Sequence, residues 1–142
     1  MHLTPLQPTA TGPDNWFTGT VYVEALAAPA EGDQRMLVSR VRFTPRAHTA
    51  WHSHGRGQTL HITAGIALIG TRDGTVIRAT PGQTVYTPPG EEHWHGATPD
   101  AFMEHLAMLE TADGADAKDG WYEHVSDSDY RTAAEKIPTT EA

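Results

Sequence analysis

The chain has 142 residues, a formal net charge of −8 and no cysteine. That length accommodates one domain with its own core, since domains run to about 100–200 residues. The missing thiols exclude disulfides, thiolate zinc sites and a cysteine nucleophile, and the acidic balance excludes nucleic acid or an anionic membrane as the main partner, because phosphate binding takes clustered Lys and Arg.

Residues 1–14 carry Pro5, Pro8 and Pro13 and no apolar stretch. They read as a flexible or extended arm without a targeting signal. No apolar run approaches the ~20 residues of a membrane helix, so the expectation is a soluble, cytoplasmic protein. Residues 15–110 read as a barrel of short strands. Residues 20–26 form one. Met36–Phe43 alternates, with Leu37, Ser39, Val41 and Phe43 on one face and Arg40 and Arg42 on the other. Gln58–Ala64 and residues 66–69 follow, parted by Gly65. Arg72-Asp73-Gly74 turns the chain into residues 75–79. Pro81-Gly82 turns it into residues 83–87, and Pro88-Pro89-Gly90 into His93–Ala97. Residues 102–110 alternate again. Short strands between Gly and Pro turns predict an all-β, antiparallel sandwich or barrel.

Residues 111–142 read as an acidic cover packed on the barrel, with a loop over 111–120 and one short helix. Ser126 caps the helix, Asp127 and Asp129 suit its positive end, Lys136 suits its negative end, and Pro138 stops it. Residues 110–142 hold nine acids against three bases, which is −6 of the total −8. Most of the net charge is thus a solvated face.

Nine histidines are the unusual count. His52 and His54 stand at i and i+2, so they share a strand face. His93 and His95 repeat that spacing, and His105 shares a face with Met103, Ala107 and Leu109. Five imidazoles thus point inward, and each needs a polar partner or a metal, since a buried unsatisfied group costs about 1–3 kcal/mol. Gln58 shares a face with Leu60 and Ile62; Gly55 and Gly57 break the parity between it and His54. Ser39, Val41 and Leu109 fall on the ligand side and line a pocket in this reading. Trp51, Trp94 and His61 fall on the outer side. His2, His48 and His124 read as structural or solvated, and Arg56 as a loop residue near the pocket mouth. Strict alternation sets Thr49 on the face opposite His52.

The spacing resembles that of the cupins. Their first motif is His-x-His, three or four residues, Glu, six residues, Gly; here it reads His52-Ser53-His54, Gln58 and Gly65. Their second is Gly, five residues, Pro-x-Gly, two residues, His; here it reads Gly82, Pro88-Pro89-Gly90 and His93. The sequence departs at three points. The opening Gly of the first motif is missing near Pro45 and Arg46, the usual Glu is Gln58, and the closing Asn of the second motif is Ala97. Trp51–His54, Gly57–Thr59, Pro88–Ala97, Asn15–Thr20 and Trp121–Val125 further resemble small bacterial cupins that include manganese-dependent, R-selective hydroxynitrile lyases. The likeness runs from about Asn15 to Tyr130.

The resemblance implies a cupin-type antiparallel jelly-roll barrel holding one divalent metal on His52, His54, Gln58 and His93. Such a donor set suits Mn²⁺, Fe²⁺, Ni²⁺ or Zn²⁺; the resemblance puts manganese first and iron second. Three imidazoles and an amide leave the centre at +2, which favours binding an anion. By the same likeness His95, His105 and Thr49 lie beside the metal as catalytic groups. The implied activity is a lyase acting on cyanohydrins. The alternatives are an iron or manganese oxygenase of small molecules and a non-catalytic small-molecule-binding cupin. The expected partner is a small substrate, and the resemblance implies a homodimer or homotetramer.

Overall fold

The middle strands pair as the turn signals require, and the pairing sets which residues meet inside. The computed structural model describes residues 1–29, 34–111 and 119–136. Two antiparallel sheets curl into a half-barrel. In spatial order the first runs β1 (Ala10–Thr11), β3 (Val21–Ala27), β4 (Met36–Phe43), β12 (Met103–Glu110), β7 (Gln58–Ala64) and β10 (Thr84–Thr87). The second runs β13 (Gly120–Trp121), β6 (His52–Ser53), β11 (His93–Ala97), β5 (His48–Thr49) and β2 (Phe17–Thr18). In that sheet β8 (Ala67–Thr71) also pairs with β11, and β9 (Val76–Ala79) pairs with β8. The longer strands fall within a residue or two of their expected places. Five two-residue strands, β1, β2, β5, β6 and β13, were not expected, because two residues carry no periodicity. Two of them revise the reading of the chain ends: Ala10–Thr11 pairs with β3, and Gly120 belongs to β13 rather than to a loop. Residues 112–118 of that loop, and Pro138, lie outside the described residues.

Directly opposed residues of an antiparallel pair share a face. The β4–β12 register sets His105 opposite Val41, Ala107 opposite Ser39 and Leu109 opposite Leu37, so all six share the inner face. In the other sheet His93 is opposite His52, and Gly96 is opposite His48. The inner faces enclose a core in which Val21, Phe43, Leu60, Ile62 and Met103 are fully buried.

The turn into β5 explains the missing motif glycine. Arg46 stands at φ 73°, the one non-glycine residue in the left-handed region among those described. Ala47 N donates to Thr44 O at 2.9 Å. Pro45 and a positive φ at the next residue are the pattern of a type II turn. A non-glycine residue there costs roughly 1–2 kcal/mol, so Arg46 holds a left-handed position that glycine would take without strain.

A second apolar cluster lies outside the barrel. Trp51, Leu68 and Trp94 meet Val125, Tyr130 and Ala133. The last two come from α1 (Asp127–Glu135), whose N-cap Ser126 accepts from Asp129 N at 3.0 Å. The outward tryptophans therefore pack under the C-terminal cover. Lys136 is the C-cap, and its Nζ donates to Gly74 O at 3.0 Å, so it ties the helix to the β8–β9 hairpin. His48 stacks on Tyr130 with ring centres 4.6 Å apart, which gives it the structural role expected of it.

The buried Tyr130 hydroxyl donates to Ala97 O at 2.7 Å, joining the helix to the histidine-bearing strand β11. Tyr130→Phe should lower unfolding stability by about 1 kcal/mol. Urea unfolding should show a lower midpoint at unchanged slope, with metal stoichiometry unaltered.

Candidate metal centre

His52, His54 and Gln58 reach the barrel interior from β6, the turn after it and the start of β7; His93 and His95 reach it from β11. All five side chains are buried. Backbone carbonyls set two of the tautomers. His52 Nδ1 donates to Ala50 O at 2.9 Å, and His93 Nδ1 donates to Glu91 O at 2.9 Å. A carbonyl can only accept, so each Nδ1 carries the ring proton and each Nε2 is left as a lone pair. This is how an imidazole is oriented for a metal.

The inner ends of these side chains do not satisfy one another. His93 Nε2 lies 3.0 Å from Gln58 Oε1, lone pair against lone pair unless the amide is turned. His54 Nε2 is buried with no hydrogen-bond partner among the described residues. Its Nδ1 lies 3.1 Å from Asp119 Oδ1, within ion-pair distance but out of line for a hydrogen bond. The nitrogens of His52, His93 and His95 already lie within 4.8 Å of one another. His54 is not in that tight group; its ring centre is 5.1 Å from that of His52 and 5.8 Å from that of His93. Neutral nitrogen and oxygen donors left without protons at one point fit a divalent first-row ion.

A line of three imidazoles leads away from this point. His95 Nε2 lies 3.2 Å from His52 Nε2, and His105 Nε2 lies 2.9 Å from His95 Nδ1. Each contact holds one proton. While the His52 lone pair is bare, His95 carries its proton on Nε2 and accepts from His105. Once that lone pair is engaged, His95 can instead carry the proton on Nδ1 and donate it to His105. His105 does not line the cavity; it sits behind His95 with its ring 5.3 Å from that of Phe43. Burial holds His93 and His105 down to about 4. Burial, together with neighbouring imidazoles, holds His52 and His95 well below the ordinary value.

Thr49 corrects the strict-alternation expectation. A bend over Ala50 and Trp51 separates β5 from β6, so parity is lost between Thr49 and His52. Thr49 Oγ1 lies 3.4 Å from His52 Nδ1 and accepts His95 N–H at 3.2 Å. It faces the same cavity as the histidines.

That cavity measures about 450 Å³. Thr49, His52, His54, Gln58 and His95 form its polar end, and Ser39, Val41 and Leu109 lie on its wall with Val23, Leu37 and Ala107. The sequence reading missed its cover. Trp121 stacks on His52 with ring centres 4.5 Å apart, and Trp16 stacks on Trp121 at 4.7 Å. Asp119 and Phe17 also line it. Both stretches carried family likeness, but neither has a periodicity that aims a side chain.

Comparison with known proteins agrees with this geometry. A family profile described as a cupin domain matches residues 39–108. A curated (R)-mandelonitrile lyase of Granulicella tundricola is 46% identical over 125 residues, covering 88% of this chain and 93% of that protein. The crystal structure of a cupin-like protein of Thermotoga maritima is 32% identical with a TM-score of 0.85, covering 92% of this chain and 97% of that one. A polyketide cyclase of Streptomyces resistomycificus shares the fold at 16% identity and a TM-score of 0.68, covering 97% of this chain and 92% of that one.

The depressed imidazoles make stability depend on pH. The unfolded chain protonates near the ordinary value of 6.5, whereas His93 and His105 stay neutral until about 4 in the fold. Between those values the unfolded state binds more protons, so stability present above 6.5 is lost as pH falls. Thermal melts of metal-stripped protein should show a melting temperature that drops steadily from pH 7 to pH 4. A flat profile would mean the imidazoles are not buried neutral.

Proposed function

This chain belongs to the cupin family, and on that footing we propose that it is a metal-dependent lyase that cleaves and forms cyanohydrins. The observation that carries this reading is the gathering of unprotonated donors inside the barrel: the Nε2 lone pairs of His52 and His93, the Gln58 oxygen 3.0 Å from His93 Nε2, and His54 Nε2, buried with no hydrogen-bond partner among the described residues. The identity to the (R)-mandelonitrile lyase, spread over most of both chains, supports cyanohydrins as the substrate class. His52, His54, Gln58 and His93 would hold the ion, with manganese first and iron second by family resemblance. His95 is assigned to the proton instead, because both of its ring nitrogens already face histidine nitrogens. When bound, the ion supplies a +2 Lewis-acid field that stabilises negative charge on oxygen or cyanide.

The chain's own side chains do the rest. The apolar wall of Val23, Val41 and Leu109 takes the organic group of the substrate and turns the hydroxyl and nitrile toward the imidazoles. As a base, His95 carries its proton on Nδ1 and donates it to His105 Nε2, His105 holding its own proton on Nδ1; the lone pair is then on His95 Nε2, beside His52 at the polar end of the cavity. Nε2 takes the hydroxyl proton. The C–C bond to the nitrile breaks, the oxygen becomes the carbonyl of an aldehyde, and the bonding pair leaves on cyanide. His95 then returns its proton to cyanide as hydrogen cyanide. His105 steadies the intervening imidazolium by accepting from Nδ1, and Thr49 holds the backbone of His95.

Metal-loaded protein should release cyanide from mandelonitrile, and chelator-stripped protein should not. His95→Ala should lower kcat by about 100-fold or more, the range of a lost general base, with metal content unchanged. His105→Ala should also lower kcat while keeping metal. No release above the stripped control would overturn the lyase reading. Oxygen uptake with Fe²⁺ would favour an oxygenase in its place.

A further inference from the structure

The three imidazoles assigned to the ion differ in what holds their outer nitrogens. For His52 and His93 the acceptor is a carbonyl two residues earlier, supplied by the local chain. His54 has no such neighbour. Its own carbonyl accepts from Gly57 N and Gly90 N, and the group facing its Nδ1 is the carboxylate of Asp119, 3.1 Å away. Asp119 is brought there by β13, whose Gly120 pairs with Ser53 and whose Trp121 pairs with His52. The approach is close: a Cβ on Gly120 would lie 3.1 Å from Ser53 Oγ of β6, tighter than ordinary van der Waals contact. The same short strand lays the Trp121 ring flat on His52. One segment therefore braces both histidines of the His-x-His pair from outside.

Charge makes this contact more than geometric. The four groups assigned to the ion are all neutral. Of the described residues lining the cavity, Asp119 alone carries a carboxylate. A carboxylate behind a ligand imidazole fixes the Nδ1–H tautomer, keeps Nε2 as a lone pair and raises its basicity. Engagement of Nε2 from the inside would put the ring proton on Nδ1, the atom 3.1 Å from Asp119 Oδ1, where the carboxylate attracts it by charge.

We infer that Asp119 is a positioning residue of the metal centre: it anchors His54 from outside and supplies the negative charge that Gln58 does not. This rests on the metal reading proposed above. Its carboxylate faces the outer nitrogen of His54, so it acts on the centre through that imidazole and not as a ligand.

The test is Mn²⁺ affinity of the full chain, read without catalysis. Chelator-stripped wild type, Asp119→Asn, Asp119→Ser and Glu135→Gln are titrated with Mn²⁺, and free ion is counted by its electron paramagnetic resonance signal. Glu135 is an exposed helix residue, so its variant changes net charge equally but away from the site. Both Asp119 variants should bind about 10–100-fold more weakly, the usual effect of losing an outer partner, and their bound-Mn²⁺ spectra should differ from wild type. Glu135→Gln should match wild type in both. A folded Asp119 variant with wild-type affinity and spectrum would overturn the inference while leaving the metal reading intact. Equal weakening by Glu135→Gln would also overturn it, since bulk charge would then suffice. A wild-type chain that binds neither Mn²⁺, Fe²⁺, Ni²⁺ nor Zn²⁺ would overturn both.

Discussion

Burying imidazoles without protonating them is the constraint on which the rest of this structure depends. Five histidines occupy interior positions that a barrel of this size would otherwise fill with apolar side chains. A charged imidazole there would be taken out of water uncompensated. Burial keeps His52, His93, His95 and His105 neutral, and rigid acceptors orient two of them. These acceptors are the peptide carbonyls of Ala50 and Glu91, each two residues before its histidine and just ahead of β6 and β11, so the orientation of the rings is built into the backbone path. Strand pairing then brings the ligand strands together: β6 and β11 set His52 opposite His93. The register of β4 and β12 sets His105 opposite Val41, so the histidine line begins at the cavity and ends in the apolar core.

The same constraint divides the cavity. Its polar end is made from neutral groups, and its wall from Val, Leu and Ala side chains. Electrostatic interactions inside such an enclosure are stronger than in water. A charge developing on a small substrate would therefore be felt mainly by the few groups at the polar end. The aromatic cover strengthens this separation. Trp16 and Trp121 come from opposite ends of the chain, yet they stack within 11° of parallel over His52. The two-residue strands β2 and β13 that flank these rings are too short to stand alone; their value lies in placing side chains over the mouth.

How legible this was from sequence depends on whether a local pattern existed. The strands of the barrel were visible because their inner faces alternate and their ends carry Gly and Pro. The histidines were visible through spacing: His52 and His54, or His93 and His95, declare a shared face by standing two apart. Thr49 was misread by the same rule, because the bend at Ala50–Trp51 resets parity and no residue type announces it. Arg46 shows the converse. The motif glycine is absent near Pro45 and Arg46, yet the chain is left-handed there at Arg46, with Pro45 presetting the corner. Asp119 and Trp121 had no readable pattern. They reach the site through pairing between residues about 70 positions apart, a contact that alternation along one strand cannot report.

That long-range pairing also changes the meaning of the chain's charge. The C-terminal segment carries most of the negative balance and reads as a solvated face, and for Asp127 and Asp129 that reading fits their exposed places on α1. Asp119 departs from it. Its side chain is about half exposed, at 48%, but its carboxylate points at the outer nitrogen of a buried histidine. A neutral amide at position 58 leaves the inner donor set without charge, so a carboxylate placed behind His54 acts on the centre through the imidazole instead of through a ligand bond. Charge delivered in that way raises donor strength without occupying a coordination position. The substitution of glutamine for glutamate in the first motif and the return of the acidic segment over the barrel mouth are then two parts of one arrangement.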